Sequence, residues 1–182
     1  MSGRIRTLST VALMASLTTL GAFLRVPLGP SGFTLQTLFT AMAGVLLGAR
    51  YGACSQLVYL GLGLIGLPVF FSGGGIGYVL QPTFGFLLGL VPCAWLIGYL
   101  TRHRQTPLRI ALATAGGFAL LYLIGLPYMA LILNGYLGQD LSWMQILQWG
   151  MLPFLVTDGI KLVLVSLLCP KLLKRLPKES TR

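Results

Sequence analysis

Long apolar runs alternate along the chain with short stretches rich in glycine, proline or positive charge. Reading the runs against that punctuation predicts helices near residues 7–24, 34–49, 51–67, 82–100, 107–133 and 146–169, the second and third being the shortest. A helix needs about 20 apolar residues to cross a bilayer. These lengths therefore fit an all-α membrane protein with six transmembrane helices in one domain, residues 1–182. The linkers differ in kind. Arg25 to Phe33 is rich in proline and glycine, Arg50 is a tight turn, Pro68 to Gln81 carries Ser72-Gly73-Gly74-Gly75, Arg102 to Thr106 is basic, and Asn134 to Gln145 is polar and holds Asp140. The segment Leu64-Ile65-Gly66-Leu67-Pro68 recurs as Leu123-Ile124-Gly125-Leu126-Pro127. The copies fall in the third and fifth spans, which do not correspond when two three-helix halves are superposed, so the repeat reads as coincidence rather than duplication.

Composition strengthens the membrane reading. Hydrophobic residues make up 55% of the chain and charged ones 9%, too few to cover the surface of a soluble domain. A net charge of +10 could point to nucleic acid, but the positive charges sit in short clusters between apolar runs instead of forming a stripe. With the N-terminus inside, Arg4, Arg6, Arg50, Arg102, Arg104, Arg109, Lys171, Lys174, Arg175, Lys178 and Arg182 all fall on the inner side. Arg25 alone lies outside, and Lys161 is left in a span. That asymmetry predicts cytoplasmic N- and C-termini in a multi-pass protein of the cytoplasmic membrane, with the lipid bilayer and not nucleic acid as its surroundings. The apolar run from Leu8 to Leu24 is long for the core of a signal peptide, and cleaving it would spoil the charge alternation, so it is read as a span.

The sharpest chemical signal is Thr157-Asp158-Gly159-Ile160-Lys161, about midway along the last apolar run. Ionised groups there are expensive and need partners, water or a ligand. Three residues apart on a helix, Asp158 and Lys161 project from one face and set an acceptor-only carboxylate beside a donor-only ammonium. Spacing alone leaves open an ion pair that merely lets the helix insert. The alternative is a ligand clamp, and a urea-like group, with two N–H donors flanking a carbonyl, matches that pairing better than a purely anionic or cationic solute. Thr34 and Gln36, near the outer end of the second span, either read a polar ligand or satisfy freed backbone. Arg25 either meets a carboxylate or snorkels to headgroups. The loop through Gly73, Gly74 and Tyr78 lacks the Lys-Ser/Thr of a nucleotide site, so its glycines serve close approach to a ligand or a tight re-entrant turn. Tyr78 and Phe71 either line an apolar wall or anchor at the interface, where Trp143 and Trp149 are also placed. Ala12 and Ser16, like Ala15 and Thr19, put small residues four apart on the first helix, for packing within the bundle or for docking another membrane subunit.

Catalysis finds little support. His103 is the sole histidine and sits in a basic loop, the acids are Asp140, Asp158 and Glu179 only, and Cys54, Cys93 and Cys169 lack metal-ligand spacing. The reading is therefore of a non-enzyme with no metal and no cofactor, and no nucleotide motif supplies energy for transport.

Taken in order, several segments resemble the BioY family: Ala12-Leu13-Met14-Ala15-Ser16, Pro27-Leu28-Gly29-Pro30, Phe33-Thr34-Leu35-Gln36-Thr37-Leu38, Gly66-Leu67-Pro68-Val69-Phe70, Gly73-Gly74-Gly75, Gln81-Pro82-Thr83-Phe84-Gly85-Phe86 and Asp158-Gly159-Ile160-Lys161. BioY proteins are the biotin-binding S components of energy-coupling-factor (ECF) transporters. The resemblance implies a six-helix S-component bundle that takes up biotin with a transmembrane T component and a pair of ATPases. It implies that Asp158 and Lys161 hold the ureido ring, that Gln36 and the glycine loop with Tyr78 complete the pocket, and that Ala12 and Ser16 dock the T component. Ser16 stands where the family usually has alanine. The rival readings are an S component for another vitamin and a structural or enzymatic membrane protein without a transport role.

Overall fold

The computed structural model describes residues 3–28 and 31–175, the side chains of 3, 25–28 and 31–33 excepted. The first helix, α1, spans Gly3–Phe23. Val11, Met14, Ala15, Thr18 and Ala22 recur at helical spacing and are buried, so one stripe of α1 faces the bundle while Leu8, Leu13 and Leu20 point outward. The Pro/Gly-rich linker that follows is not irregular: β1 (Arg25–Leu28) pairs antiparallel with β2 (Ser31–Thr34), Val26 opposite Phe33.

Helix α2 covers Gln36–Leu64 but is interrupted at Gly48, whose backbone (φ 76°, ψ 179°) only glycine adopts readily. There the chain turns back on itself. Thr40 and Gln56 would be about 24 Å apart along a straight helix, yet their side chains are hydrogen-bonded at 3.0 Å. A Cβ added to Gly52 would lie 2.9 Å from the Gly44 Cα. The two arms of α2 are thus an antiparallel helical hairpin. Its reversal falls at Gly48, two residues before the Arg50 turn expected from the sequence.

The glycine loop leads through a short 3-10 turn (Ile76–Leu80) into α3, Phe84–Thr101. Helix α4 spans Pro107–Ala130, with the Thr106 hydroxyl capping its start and Pro107 in the first turn, where its missing N–H costs nothing. It runs on into a π-helical turn, Leu131–Tyr136. Asn134, placed in a loop by the sequence reading, closes that turn through Nδ2 to the Leu141 carbonyl (2.9 Å) and Oδ1 from the Leu141 N–H (2.8 Å). Helix α5 (Trp143–Gly150) opens with a Ser142/Gln145 capping box and leaves Trp143 and Trp149 exposed. A break at Met151 (φ −129°, ψ −56°) separates it from α6, Leu152–Arg175, where the sequence drew one span.

Helix α3 packs between α2 and α4, α1 lies against α2, and α6 is seated on α2 and α4. Close approach depends on small residues. A Cβ on Gly98 would lie 2.3 Å from the Ala49 nitrogen, so α3 rests directly on the α2 reversal. Outward-facing Ile65, Leu123, Val156 and Leu167 are each more than half exposed, an apolar coat suited to lipid. Among the described residues, five helical stretches are long and apolar enough to cross a membrane, the α2 hairpin counted as one of them. The protein is a multi-pass membrane protein.

Candidate functional site

Helix α6 carries Asp158 and Lys161 on the face turned toward α2 and α4, and both are buried, at 8% and 4% exposure. Lys161 Nζ donates to Asp158 Oδ1 at 2.9 Å and to Thr37 Oγ1 at 2.9 Å. Tyr122, on α4, donates its hydroxyl to Asp158 Oδ2 at 2.5 Å. A local i,i+3 pair thereby becomes a junction of three helices. An isolated buried charge would be prohibitively unstable, whereas a paired and hydrogen-bonded one is tolerated.

These partners do not use the cluster's full bonding capacity. An ammonium has three N–H donors and a carboxylate about four lone-pair sites. Among the described residues, two of the ammonium hydrogens and two of the carboxylate sites are engaged. One strong donor and two acceptor sites remain, and the Thr37 hydroxyl keeps its own proton. Such a set can meet a group that offers two N–H donors beside one carbonyl.

Next to Thr37, the first residue of α2 is buried Gln36, whose Nε2 donates to the Tyr59 hydroxyl at 3.1 Å. From Tyr59 an aromatic series runs beneath the glycine loop. Tyr59 meets Phe70 edge-on at 5.4 Å, Phe70 meets Tyr78 at 4.7 Å, Tyr78 meets Phe84 at 6.4 Å, and Phe84 meets Tyr128 at 5.9 Å. On the other side Phe86 packs edge-on to Tyr122 at 6.1 Å. The ion pair is thus bonded through Tyr122 to one aromatic pair, and through Thr37 to the first turn of α2, where the neighbouring Gln36 starts the other aromatic series.

Of the residues singled out in the sequence, the structure joins Asp158 directly to Lys161, while Gln36 and Tyr78 belong to the separate aromatic series that begins one residue from Thr37. Thr34 ends β2, which lies against α6, and is half-buried. Gly73 and Gly74 shape the loop by their own contacts. Gly73 (φ 112°) pairs with Phe70, and a Cβ on Gly74 would lie 2.2 Å from the Leu67 carbonyl oxygen. That is the tight-turn use of these glycines, with the loop folded over the end of α2. Ala12 and Ser16 are exposed on the outer face of α1, and Ala15, read as part of a parallel small-residue pair, is buried against the bundle. The side chain of Arg25 lies outside the described residues.

Tyr122 and Tyr59 were missed. Each is a polar tip inside an apolar run, the same signal that exposed Asp158, but tyrosine's ring makes it look like core or interfacial aromatic. A buried neutral network was missed as well. Gln56 accepts from Thr40 (3.0 Å) and donates to Thr18 (3.2 Å) and Ser55 (3.1 Å), tying α1 to both arms of α2.

The family model for BioY matches residues 1–178. A protein of Lysinibacillus sphaericus described as "Probable biotin transporter BioY" is 42% identical over 166 residues, covering 90% of this chain and 85% of that protein. "Biotin transporter BioY" of Thermotoga maritima is 32% identical over 171 residues, 93% of this chain and 97% of its own length. Among solved structures, the S-component for biotin from an ECF-type ABC transporter superposes with a TM-score of 0.70 at 27% identity, covering 96% of this chain and 93% of that one. With the ordered motifs, the helical bundle and these similarities in agreement, the chain belongs to the BioY family.

Proposed function

We propose that this protein is the biotin-capturing S component of an ECF-type transporter of the cytoplasmic membrane. The observation that carries the reading is the buried Asp158–Lys161 pair, braced by Tyr122 and Thr37 and left with one donor and two acceptor sites. The ureido ring of biotin offers the complement. Its two N–H groups would donate to the free carboxylate lone pairs, and its carbonyl would accept from the remaining ammonium N–H. Charge-assisted hydrogen bonds of this kind are about twice as strong as neutral ones. Gln36 and the aromatic series through Tyr78 would flank the rest of the ligand, with Thr34 and the Gly73-Gly74 turn at its rim.

The α2 reversal at Gly48 supports a bundle of six helical segments, since its two arms run antiparallel. Together with the distribution of Arg and Lys, it supports cytoplasmic N- and C-termini. The outward face of α1, where Ala12 and Ser16 leave a shallow small-residue stripe, would dock the T component. A pair of ATPases joined to that component would supply the energy.

Equilibrium dialysis of labelled biotin against purified protein in detergent tests the reading. Saturable binding is expected, displaced by unlabelled biotin but not by riboflavin or thiamin. Displacement by another vitamin in preference to biotin would reassign the ligand, and an absence of saturable binding would remove the capture role.

A further inference from the structure

At the other end of the first α2 arm from Thr37, about 16 Å along the helix axis, lies a second feature that the capture site does not use. The Gly48 reversal and the end of α3 border an open cavity of about 470 Å³, lined among others by Arg50, Tyr51, Tyr99, Thr101, Arg102 and His103. Its charge is of one sign. The acids among the described residues are Asp140 and Asp158, neither lines the cavity, and Asp158 is paired with Lys161.

The cations here are arranged but not neutralised. The Arg102 guanidinium lies over the Tyr99 ring at 4.2 Å and donates through Nε to His103 Nε2 at 2.8 Å. That bond makes His103 the Nδ1–H tautomer and leaves that N–H as a further donor. Arg50 stands by the Tyr51 ring at 6.0 Å. Neighbouring Arg109 is committed elsewhere, its Nε donating to the Leu100 carbonyl at 2.7 Å. Two planar guanidiniums lining one cavity, with no carboxylate among its described lining residues, suit a tetrahedral oxyanion, which arginine grips through paired N–H bonds.

The lipid-facing side of α3 shows where the rest of such a ligand would lie. Leu88, Trp95 and Tyr99 are its exposed large side chains and share one helical stripe, which leads to Arg102. Trp95 and Tyr99 are stacked at 5.3 Å and 13°. An apolar and aromatic track ending in a basic cavity between helices has the chemistry of a bound phospholipid. We propose that this cavity binds the phosphate headgroup of an anionic phospholipid, its acyl chains lying along the Leu88–Trp95–Tyr99 face of α3.

The test is native mass spectrometry of the delipidated full chain titrated with phosphatidylglycerol or phosphatidylcholine, with inorganic phosphate as a separate competitor. The wild type is expected to prefer phosphatidylglycerol by about thirtyfold, the order expected for two cations near an anionic headgroup. Arg50→Gln with Arg102→Gln should abolish the preference, Arg50→Lys with Arg102→Lys should keep part of it, and Lys171→Gln with Lys174→Gln should leave it unchanged. Each variant is scored at unaltered circular dichroism and elution volume. The single change Arg102→Gln, whose side chain lies at the surface, should halve the preference or more and serves where the double variant does not fold. Equal binding of the two lipids by the wild type, or a preference that survives loss of both arginines, overturns the proposal. So does an equal loss in the Lys171/Lys174 variant, which would mean bulk charge, or phosphate binding without lipid preference, which would mean a free-anion site.

Discussion

Two buried polar clusters sit within the same bundle and are built on opposite principles. Around Gln56, both amide hydrogens are engaged and the carbonyl oxygen receives the Thr40 proton, which it shares with the Gln36 carbonyl. The hydroxyls of Thr18 and Ser55 send their own protons to the Met14 and Gly52 carbonyls. Thr18, Thr40, Ser55 and Gln56 are all fully buried. Around Asp158 and Lys161, a full ion pair is held by three helices, yet among the described residues hydrogen-bonding sites remain unused. A neutral, saturated network in an apolar medium fixes which helix faces which, because any other arrangement strands a polar group. A charged, unsaturated one costs more than an apolar replacement would. Its presence in α6 fits the ligand-completed site proposed above.

The difference can be tested by changing one member of each cluster. The largest effect is expected from Lys161→Ala, which strands the Asp158 carboxylate. A hydrogen bond to a charged group contributes about 1.5–3 kcal/mol, and this change removes both the proposed ammonium donor to the ligand and the anchor of the carboxylate, so labelled-biotin affinity should fall by about a hundredfold or more in dialysis while the protein still accumulates in the membrane. Unchanged affinity would reduce the pair to an insertion device and erase the distinction from Gln56. Tyr122→Phe keeps the ring against Phe86 and removes one bond to the carboxylate. A hydrogen bond to a charged group contributes about 1.5–3 kcal/mol, and a loss of about tenfold in biotin affinity is expected by the same assay. An unaltered dissociation constant would show that Tyr122 does not hold Asp158 for the ligand.

Gln56→Leu addresses the other cluster. Interhelical hydrogen bonds within membranes average about 0.6 kcal/mol and reach about 1.7, so a midpoint several degrees lower is expected in detergent thermal unfolding, with biotin affinity within about threefold of wild type. If affinity collapses while stability holds, the two clusters are one functional unit. The smallest effect on either quantity is expected from Ser16→Leu, since this residue faces outward from α1. Binding and unfolding should both match the wild type, whereas co-purification with the T component should be lost. A stability loss comparable to that of Gln56→Leu would place Ser16 inside the bundle.

Much of this was legible in the residues because it is local. Apolar run length reports helices long enough for a bilayer, and a three-residue interval places Asp158 beside Lys161 on any α-helix. The glycines of the 73–75 turn were recognisable as backbone devices for the same reason. The ordered motifs also identified the family that the comparisons assign. Other features depended on which surfaces meet. That Ala15 turns inward and Ala12 outward is not decided by their equal smallness but by which side of α1 fits α2.

The sequence by itself therefore determined the solvent of this protein, the rough positions of its apolar runs, and the presence of an opposite-charge pair on one helical face. The tertiary structure alone decided that Tyr122, 36 residues away, and Thr37, 124 residues away, are the groups that hold the pair. It also decided that the turn expected at Arg50 is made at Gly48 and that Arg50 and Arg102 line one cavity. The physical reason is range. Helix formation and side-chain spacing follow from neighbours within a turn or two, while partnerships between helices are set by how small residues let backbones approach, which becomes fixed only once the whole bundle is packed.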